Sequence, residues 1–251
     1  MPTFALLLEY DGTPFVGWQR QKDGLSVQEA LEQAAERLCA GRPVSTIVAG
    51  RTDAGVHAEG QVVQLSLPAD FPPEKLRTAL NYHLKPHPVA VLAAVLAPEG
   101  WNARFSALAR AYRYVILNRQ APPALLSGRV WHVRQMLDAA AMDKAAKLLV
   151  GRHDFSSFRA AECQAKNPLR TLDRLDVRRF GERIEIFAEA RSFLHHQVRN
   201  MVGTLKLVGE GKLKVAEVAR ILAARDRRVA GPTAPAEGLY FVGVRYPTAL
   251  F

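Results

Sequence analysis

The sequence predicts an α+β fold: two tandem ferredoxin-like halves, each a split βαβ unit, sharing a mostly antiparallel sheet with helices on one face and a central cleft. Three observations predict it. Apolar residues recur with strand and helix periods in the order β-α-β-β-α-β, and that order then repeats with one helix added. No Ser/Gly-rich linker or low-complexity tract interrupts the chain. The 251 residues, 49% hydrophobic and 23% charged, suffice for one large or two small folded domains. The expected halves are residues 1–103 and 104–251.

In the first half, Phe4–Glu9 reads as a strand. Ser26-Val27-Gln28-Glu29 has capping-box spacing and opens a helix whose apolar face is Val27, Ala30, Leu31, Ala34 and Leu38. Strands follow at Ser45–Ala49 and Gln61–Leu67, then a helix at Pro73–Tyr82 and a strand at Val89–Leu96. The second half opens with a strand at Ala111–Leu117 and a helix at Asp138–Leu149, with Asp138 as its N-cap. Leu172–Arg179 and Arg183–Ala190 alternate as strands, with Ile184, Ile186, Ala188 and Ala190 facing one way. Helices at His195–Val208 and Val215–Ala224 and a strand at Tyr240–Tyr246 complete the pattern.

Composition excludes several classes. Ample apolar content excludes disorder as the dominant state. The longest apolar stretch, Val89–Ala97, is far short of the ~20 residues a membrane span needs. Phe4–Leu8 is too short and lacks the basic flank of a signal peptide. Cys39 and Cys163 stand far apart without a pairing motif, which points to free thiols in a reducing cytoplasm. The charge points to a partner. Lys plus Arg number 34 against 24 Asp plus Glu, a net of +10. The excess lies beyond residue 100, and six arginines with no acid stand between Trp101 and Leu137: Arg104, Arg110, Arg113, Arg119, Arg129 and Arg134. Arginine grips phosphate with two hydrogen bonds and stacks on bases, so a nucleic acid is the natural polyanion. The second half is therefore expected to be the RNA-binding half.

The densest motif is Gly50-Arg51-Thr52-Asp53-Ala54-Gly55-Val56-His57-Ala58, directly after the apolar Ile47-Val48-Ala49 and hence at a strand end. Two glycines bracket one carboxylate. Such a loop is either a plain turn, with the Asp bonding its own backbone, or a carboxylate presented at a cleft beside Arg51. The histidines His57, His132, His153, His195 and His196 show no HxH or HExxH spacing, so no metal site is expected. Arg225-Asp226-Arg227-Arg228 reads as a solvated helix end or a phosphate contact.

Gly50 to His57 resembles the catalytic motif of the tRNA pseudouridine synthase A (TruA) family. Further segments are similar to that family's pattern in the same order: Glu9-Tyr10-Asp11-Gly12, Gly17-Trp18-Gln19-Arg20-Gln21, Ser26-Val27-Gln28 and Arg104-Phe105-Ser106-Ala107. Arg110-Ala111-Tyr112-Arg113-Tyr114, Asp154-Phe155-Ser156-Ser157-Phe158-Arg159, His195-His196-Gln197-Val198-Arg199-Asn200 and Ala236-Glu237-Gly238-Leu239-Tyr240 continue it. The resemblance implies a cytoplasmic, homodimeric isomerase that converts uridine to pseudouridine at positions 38, 39 and 40 of the tRNA anticodon stem-loop, without cofactor or metal. It implies Asp53 as nucleophile, Arg51 displacing or holding the flipped base, Tyr112 stacking on it and Arg199 pairing with Asp53. Arg110 and Arg113 are expected to contact the RNA, and Leu239 to lie near the site. A non-catalytic RNA-binding protein on the same scaffold is the alternative, and a metal-dependent nuclease using Asp53, His57 and Glu59 a more distant one. Attack at ribose C1′, attack at uracil C6 and elimination all remain open for Asp53.

Overall fold

A computed structural model describes all 251 residues. The chain runs β1 (Thr3–Tyr10), α1 (Val27–Leu38), β2 (Ser45–Val48), β3 (His57–Ser66), α2 (Pro73–His83), β4 (Val89–Leu96) and β5 (Ala109–Asn118). It continues β6 (Trp131–Val133), α3 (Ala139–Lys147), β7 (Gly151–Asp154), β8 (Leu169–Phe180), β9 (Arg183–Ala190), α4 (Gln197–Gly209), α5 (Val215–Ala224) and β10 (Leu239–Arg245). The fold is α+β, with five helices and mostly antiparallel strands. Two compact units form: Met1–Arg110 with Tyr240–Phe251, and Ala111–Leu239.

In the first unit, β1 lies between β4 and β3, antiparallel to both. A strand covered on two edges and packed on its faces reads as a continuous apolar run, and Phe4, Ala5, Leu6 and Leu8 are fully buried. β2 also pairs with β3, and β10 joins β3 in parallel at Tyr240 and Phe241. The last strand, which sequence order counts with the second repeat, thus ends in the first unit. Its pairing opposite His57 and Ala58 helps explain why β3 begins four residues before the alternating stretch that predicts it. All four N–H groups that open α1 find acceptors. Ser26 Oγ accepts from Glu29, and its carbonyl accepts from Ala30. Val27 and Gln28 donate to the carbonyls of Gly17 and Trp18.

In the second unit the strand order is β5-β9-β8-β7, with β6 parallel to β5. Ile184, Ile186, Ala188 and Ala190 are buried, as their alternation predicts. Asp138 caps α3 through a bond from Ala141 N–H. α4 starts two residues later than its periodicity suggests. His196 takes a left-handed conformation (φ 60°), and Gln197 Oε1 accepts from Leu194 N–H just before the helix. β6 and β7, of three and four residues, carry no periodic signal and were not expected. Cys39 and Cys163 are buried free thiols. No helix is long and apolar enough to cross a membrane.

Ser26→Ala removes a fully buried cap and leaves the Glu29 N–H without its acceptor. The expected cost is about 1–2 kcal/mol. It would be read as a lower urea midpoint with an unchanged m-value.

Candidate active site

The loop between β2 and β3 carries Arg51 and Asp53, and its backbone is held from several sides. Asp53 starts a turn closed by Val56 N–H on its carbonyl, and Gly55 supplies the positive φ (75°). The Thr52 carbonyl accepts from Trp18 N–H at 3.0 Å. That approach needs Gly17: its φ is 107°, and a Cβ there would stand 2.7 Å from the Thr52 oxygen. Beneath the loop, Thr52 Oγ1 bonds Tyr10 Oη at 2.8 Å, and Gln61 Nε2 donates to the Gly50 carbonyl at 2.8 Å. Tyr10, Thr52 and Gln61 are all buried. Burial pushes the Tyr10 phenol up to about 12, against smaller opposing effects of its hydrogen bonds to Thr52 and Gln61. After the loop, His57 Nδ1 accepts from Gly12 N–H at 3.0 Å. Asp11 Oδ1 lies 3.2 Å from the same nitrogen and also accepts from Thr13 N–H and Thr13 Oγ1. His57 also stacks on Tyr240, with ring centroids 4.8 Å apart. On this frame Asp53 is half-buried and Arg51 exposed.

In the second unit, Tyr112 is half-buried on β5 with its ring edge-on to Phe193 at 5.2 Å, a contact that sets its plane. Arg199, on the first turn of α4, donates from Nε to the Ala234 carbonyl at 2.8 Å, and Ala234 N–H returns a bond to the Arg199 carbonyl. The strap holding Ala234 is itself fastened to α4. Arg227 bonds Asn200 Oδ1, Thr233 Oγ1 and the Gly231 carbonyl, while Thr204 Oγ1 accepts from Gly231 N–H. Tyr114 donates to the Pro235 carbonyl at 2.8 Å. Burial holds its phenol well above the usual range; the Arg199 charge pulls it down and Glu237 pushes it up. Leu239 is buried at the start of β10, and Arg113 is half-buried on β5.

Two arginines have jobs that sequence reasoning did not assign. Arg110 is 8% exposed, and its guanidinium donates to the backbone carbonyls of Ala49, Ala107 and Arg104. It holds the base of the Asp53 loop, because a planar group with five donors can gather several carbonyls. Arg227, in the run read as a solvated end or phosphate contact, is the strap clamp. Phe193, Gln61 and Asn200 were missed as supporting groups. Gln61 and Phe193 carried no local signal, and Asn200 stood in a quoted motif without a role.

The two units thus present Asp53 and Arg51 on a braced strand-end loop, and Tyr112 and Arg199 on rigid elements of an α+β scaffold. This defines a class: a two-unit α+β protein whose first unit presents one carboxylate and one exposed arginine on a loop held in place by its neighbours. A family model described as tRNA pseudouridine synthase matches residues 7–106 and 145–247. The chain is 66% identical over 247 residues to tRNA pseudouridine synthase A of Acidiphilium cryptum, covering 98% of this chain and 97% of that one. It is 63% identical over 246 residues to the protein of that name from Paramagnetospirillum magneticum, covering 98% and 96%. For the Rhodospirillum centenum protein of that name the identity is 60% over 246 residues, covering 98% and 100%. The chain belongs to the tRNA pseudouridine synthase family.

The Tyr10 phenol is raised on folding, so its contribution is intact below the unfolded value near 10 and is lost as pH rises towards 12. Stability should fall between pH 10 and 12, and Tyr10→Phe should flatten that fall by about 2 kcal/mol. Urea midpoints of both proteins across that range would check it; parallel curves would contradict it. Arg227→Met should lower stability by roughly 1–3 kcal/mol, because Asn200 Oδ1, Thr233 Oγ1 and the Gly231 carbonyl all lose a charged donor while the Thr233–Asn200 bond remains. Turnover should fall more than tRNA affinity, as measured by kinetics and binding side by side.

Proposed function

We propose that this protein isomerises uridine to pseudouridine at positions 38, 39 and 40 of the tRNA anticodon stem-loop, with Asp53 as its nucleophile. The observation that supports this reading best is the loop itself. A half-buried carboxylate stands on a loop whose carbonyls are taken by Trp18, Gln61 and Arg110 and whose Thr52 hydroxyl is held by Tyr10, with an exposed arginine two residues away. A plain turn has no need of such bracing, whereas a nucleophile must be held to within a fraction of an ångström.

The reaction breaks the bond between N1 of uracil and C1′ of ribose, turns the base and joins C5 to C1′. C5 loses a proton and N1 gains one, so the change is redox-neutral and calls for no cofactor or metal. A carboxylate that bonds transiently to the substrate divides this into two easier steps. Asp53 must be ionised to do so, and in this reading Arg199 pairs with it. An arginine offers two parallel donors and so fixes which oxygen reacts. A target within a stem must leave the stack, and an aromatic face offsets part of that cost. Tyr112 supplies the face, Arg51 displaces or holds the flipped base, and Leu239 lines its place. Residues 1–103 carry the nucleophile. Residues 104–251 carry more of the phosphate grip, with Arg113 in it and Arg110 assigned instead to positioning. The enzyme works in the cytoplasm as a homodimer.

Pseudouridine mapping on an unmodified tRNA transcript is the direct test. Wild-type protein should convert positions 38–40, and Asp53→Asn should abolish conversion while keeping tRNA affinity within a few-fold, since affinity comes from phosphate contacts elsewhere. Arg199→Lys should lower turnover strongly and Arg199→Ala further. Appreciable conversion by Asp53→Asn, with deamidation excluded, would remove Asp53 from the reaction. Tight binding without conversion by the wild type would favour a non-catalytic RNA-binding protein.

A further inference from the structure

The segment from Trp101 to Arg110, between β4 and β5, is a rigid knuckle with an exposed tip. Asn102 Oδ1 accepts from both Arg104 N–H and Phe105 N–H at 3.0 Å, and Ser106 Oγ accepts from Asn102 N–H at 3.0 Å. The knuckle is fastened through Ala103, which is fully buried. Its N–H donates to Gln64 Oε1, and its carbonyl accepts from Tyr246 Oη at 2.6 Å. Phe105 nevertheless stands 75% exposed, with the Arg104 guanidinium over its ring at 5.6 Å. A large apolar side chain held out into water on so well-tied a backbone has no part in the core.

Its place is also fixed relative to the loop that carries Asp53. The Arg110 guanidinium bonds the carbonyl of Arg104 and, through Nε and Nη2, the carbonyl of Ala49, the residue just before Gly50. One buried side chain therefore sets the spacing between the knuckle and the Arg51–Asp53 loop.

We propose that Arg104 and Phe105 form a stacking platform for one unpaired nucleobase of the RNA substrate, a subsite beside the loop that presents Asp53. The ring of Phe105 takes the base on its open face. The guanidinium of Arg104 lies over the ring and can turn to the adjoining phosphate. A base fits better than a protein partner for two reasons. The exposed large apolar side chains of the segment are Phe105 and Leu108, with the polar Asn102, Arg104 and Ser106 around the ring, too little for a protein interface. The surrounding stretch from Trp101 to Leu137 also holds six arginines and no acid, which suits a polyanion. Stacking on an aromatic ring is sequence-tolerant, so the platform holds a base without having to read it. It gives an enzyme that flips one base a fixed grip on another.

This subsite rests on the RNA-modifying reading above, and the test keeps the two apart. Binding of an unmodified tRNA transcript is measured for Phe105→Ala, Phe105→Leu, Phe105→Tyr and Phe105→Trp, alongside turnover of the wild type and of Asp53→Asn. Stacking predicts a roughly 5- to 100-fold loss of affinity for Phe105→Ala. It predicts a similar loss for Phe105→Leu, which keeps apolar bulk without a π-face, and near-normal affinity for the Tyr and Trp variants. The indole emission of Phe105→Trp should be quenched on adding tRNA by more than that of the wild type, whose own three tryptophans set the background. Affinity unchanged in Phe105→Ala, or restored by Leu as well as by Trp, would overturn the platform. So would a loss of self-association in Phe105→Ala with unchanged RNA affinity, which would make the tip a contact between copies of the chain. A wild type that forms no pseudouridine yet shows the full stacking series would sink the reaction assignment and leave the platform standing.

Discussion

The peptide at Thr52 is the fixed point of the first unit. Its carbonyl is taken by Trp18 N–H and its hydroxyl by Tyr10, and the residues on either side of it are Arg51 and Asp53. Loops carry reactive groups because their side chains are accessible, but they are also the mobile parts of a fold. Here that conflict is resolved by hydrogen bonds onto the loop's carbonyls from three separate segments: the Trp18 N–H and the Gln61 and Arg110 side chains. They immobilise the main chain and leave the two charged side chains projecting from it.

The same bonds serve more than one purpose. The Gly17–Trp18 segment gives its N–H to the loop and its carbonyls to the first two N–H groups of α1, so the start of a helix and the place of a carboxylate are set together. A lost contact on one side is felt on the other. Gln61 works similarly. It is fully buried in β3, and its amide spans the Tyr10 hydroxyl and the Gly50 carbonyl. Buried polar groups are costly unless satisfied, and a satisfied network of this kind favours one arrangement over its neighbours.

Arginine does two different kinds of work in this protein. Arg51 and Arg104 are exposed and available to an anion, whereas Arg110 and Arg227 are turned inward onto carbonyls and amides. Arg110 meets the backbone carbonyls of Ala49, Ala107 and Arg104, and Arg227 meets the Gly231 carbonyl together with Asn200 Oδ1 and Thr233 Oγ1. Arg227 holds the strap, the strap's Ala234 carbonyl holds Arg199 Nε, and so the direction of one guanidinium is set by another. The net charge of +10 therefore overstates the surface that a nucleic acid could meet.

Much was legible in the sequence because it is local. β4, β9 and α5 have the bounds their periodicity predicts, since each carries an uninterrupted apolar pattern. Ser26 and Asp138 cap as their spacing predicts, and the glycine-bracketed Asp53 announces a strand-end loop. Other features were decided only by tertiary structure. The four-residue advance of β3 reflects in part a strand some 180 residues away in the chain, and the left-handed His196 is set by a turn that no periodicity encodes. The identity of an arginine at 110 or 227 does not say whether it faces water or a carbonyl. Residue type and period describe what a segment can bury. Which donor meets which acceptor depends on segments brought together from far along the chain, and those meetings exist only once the backbone has folded.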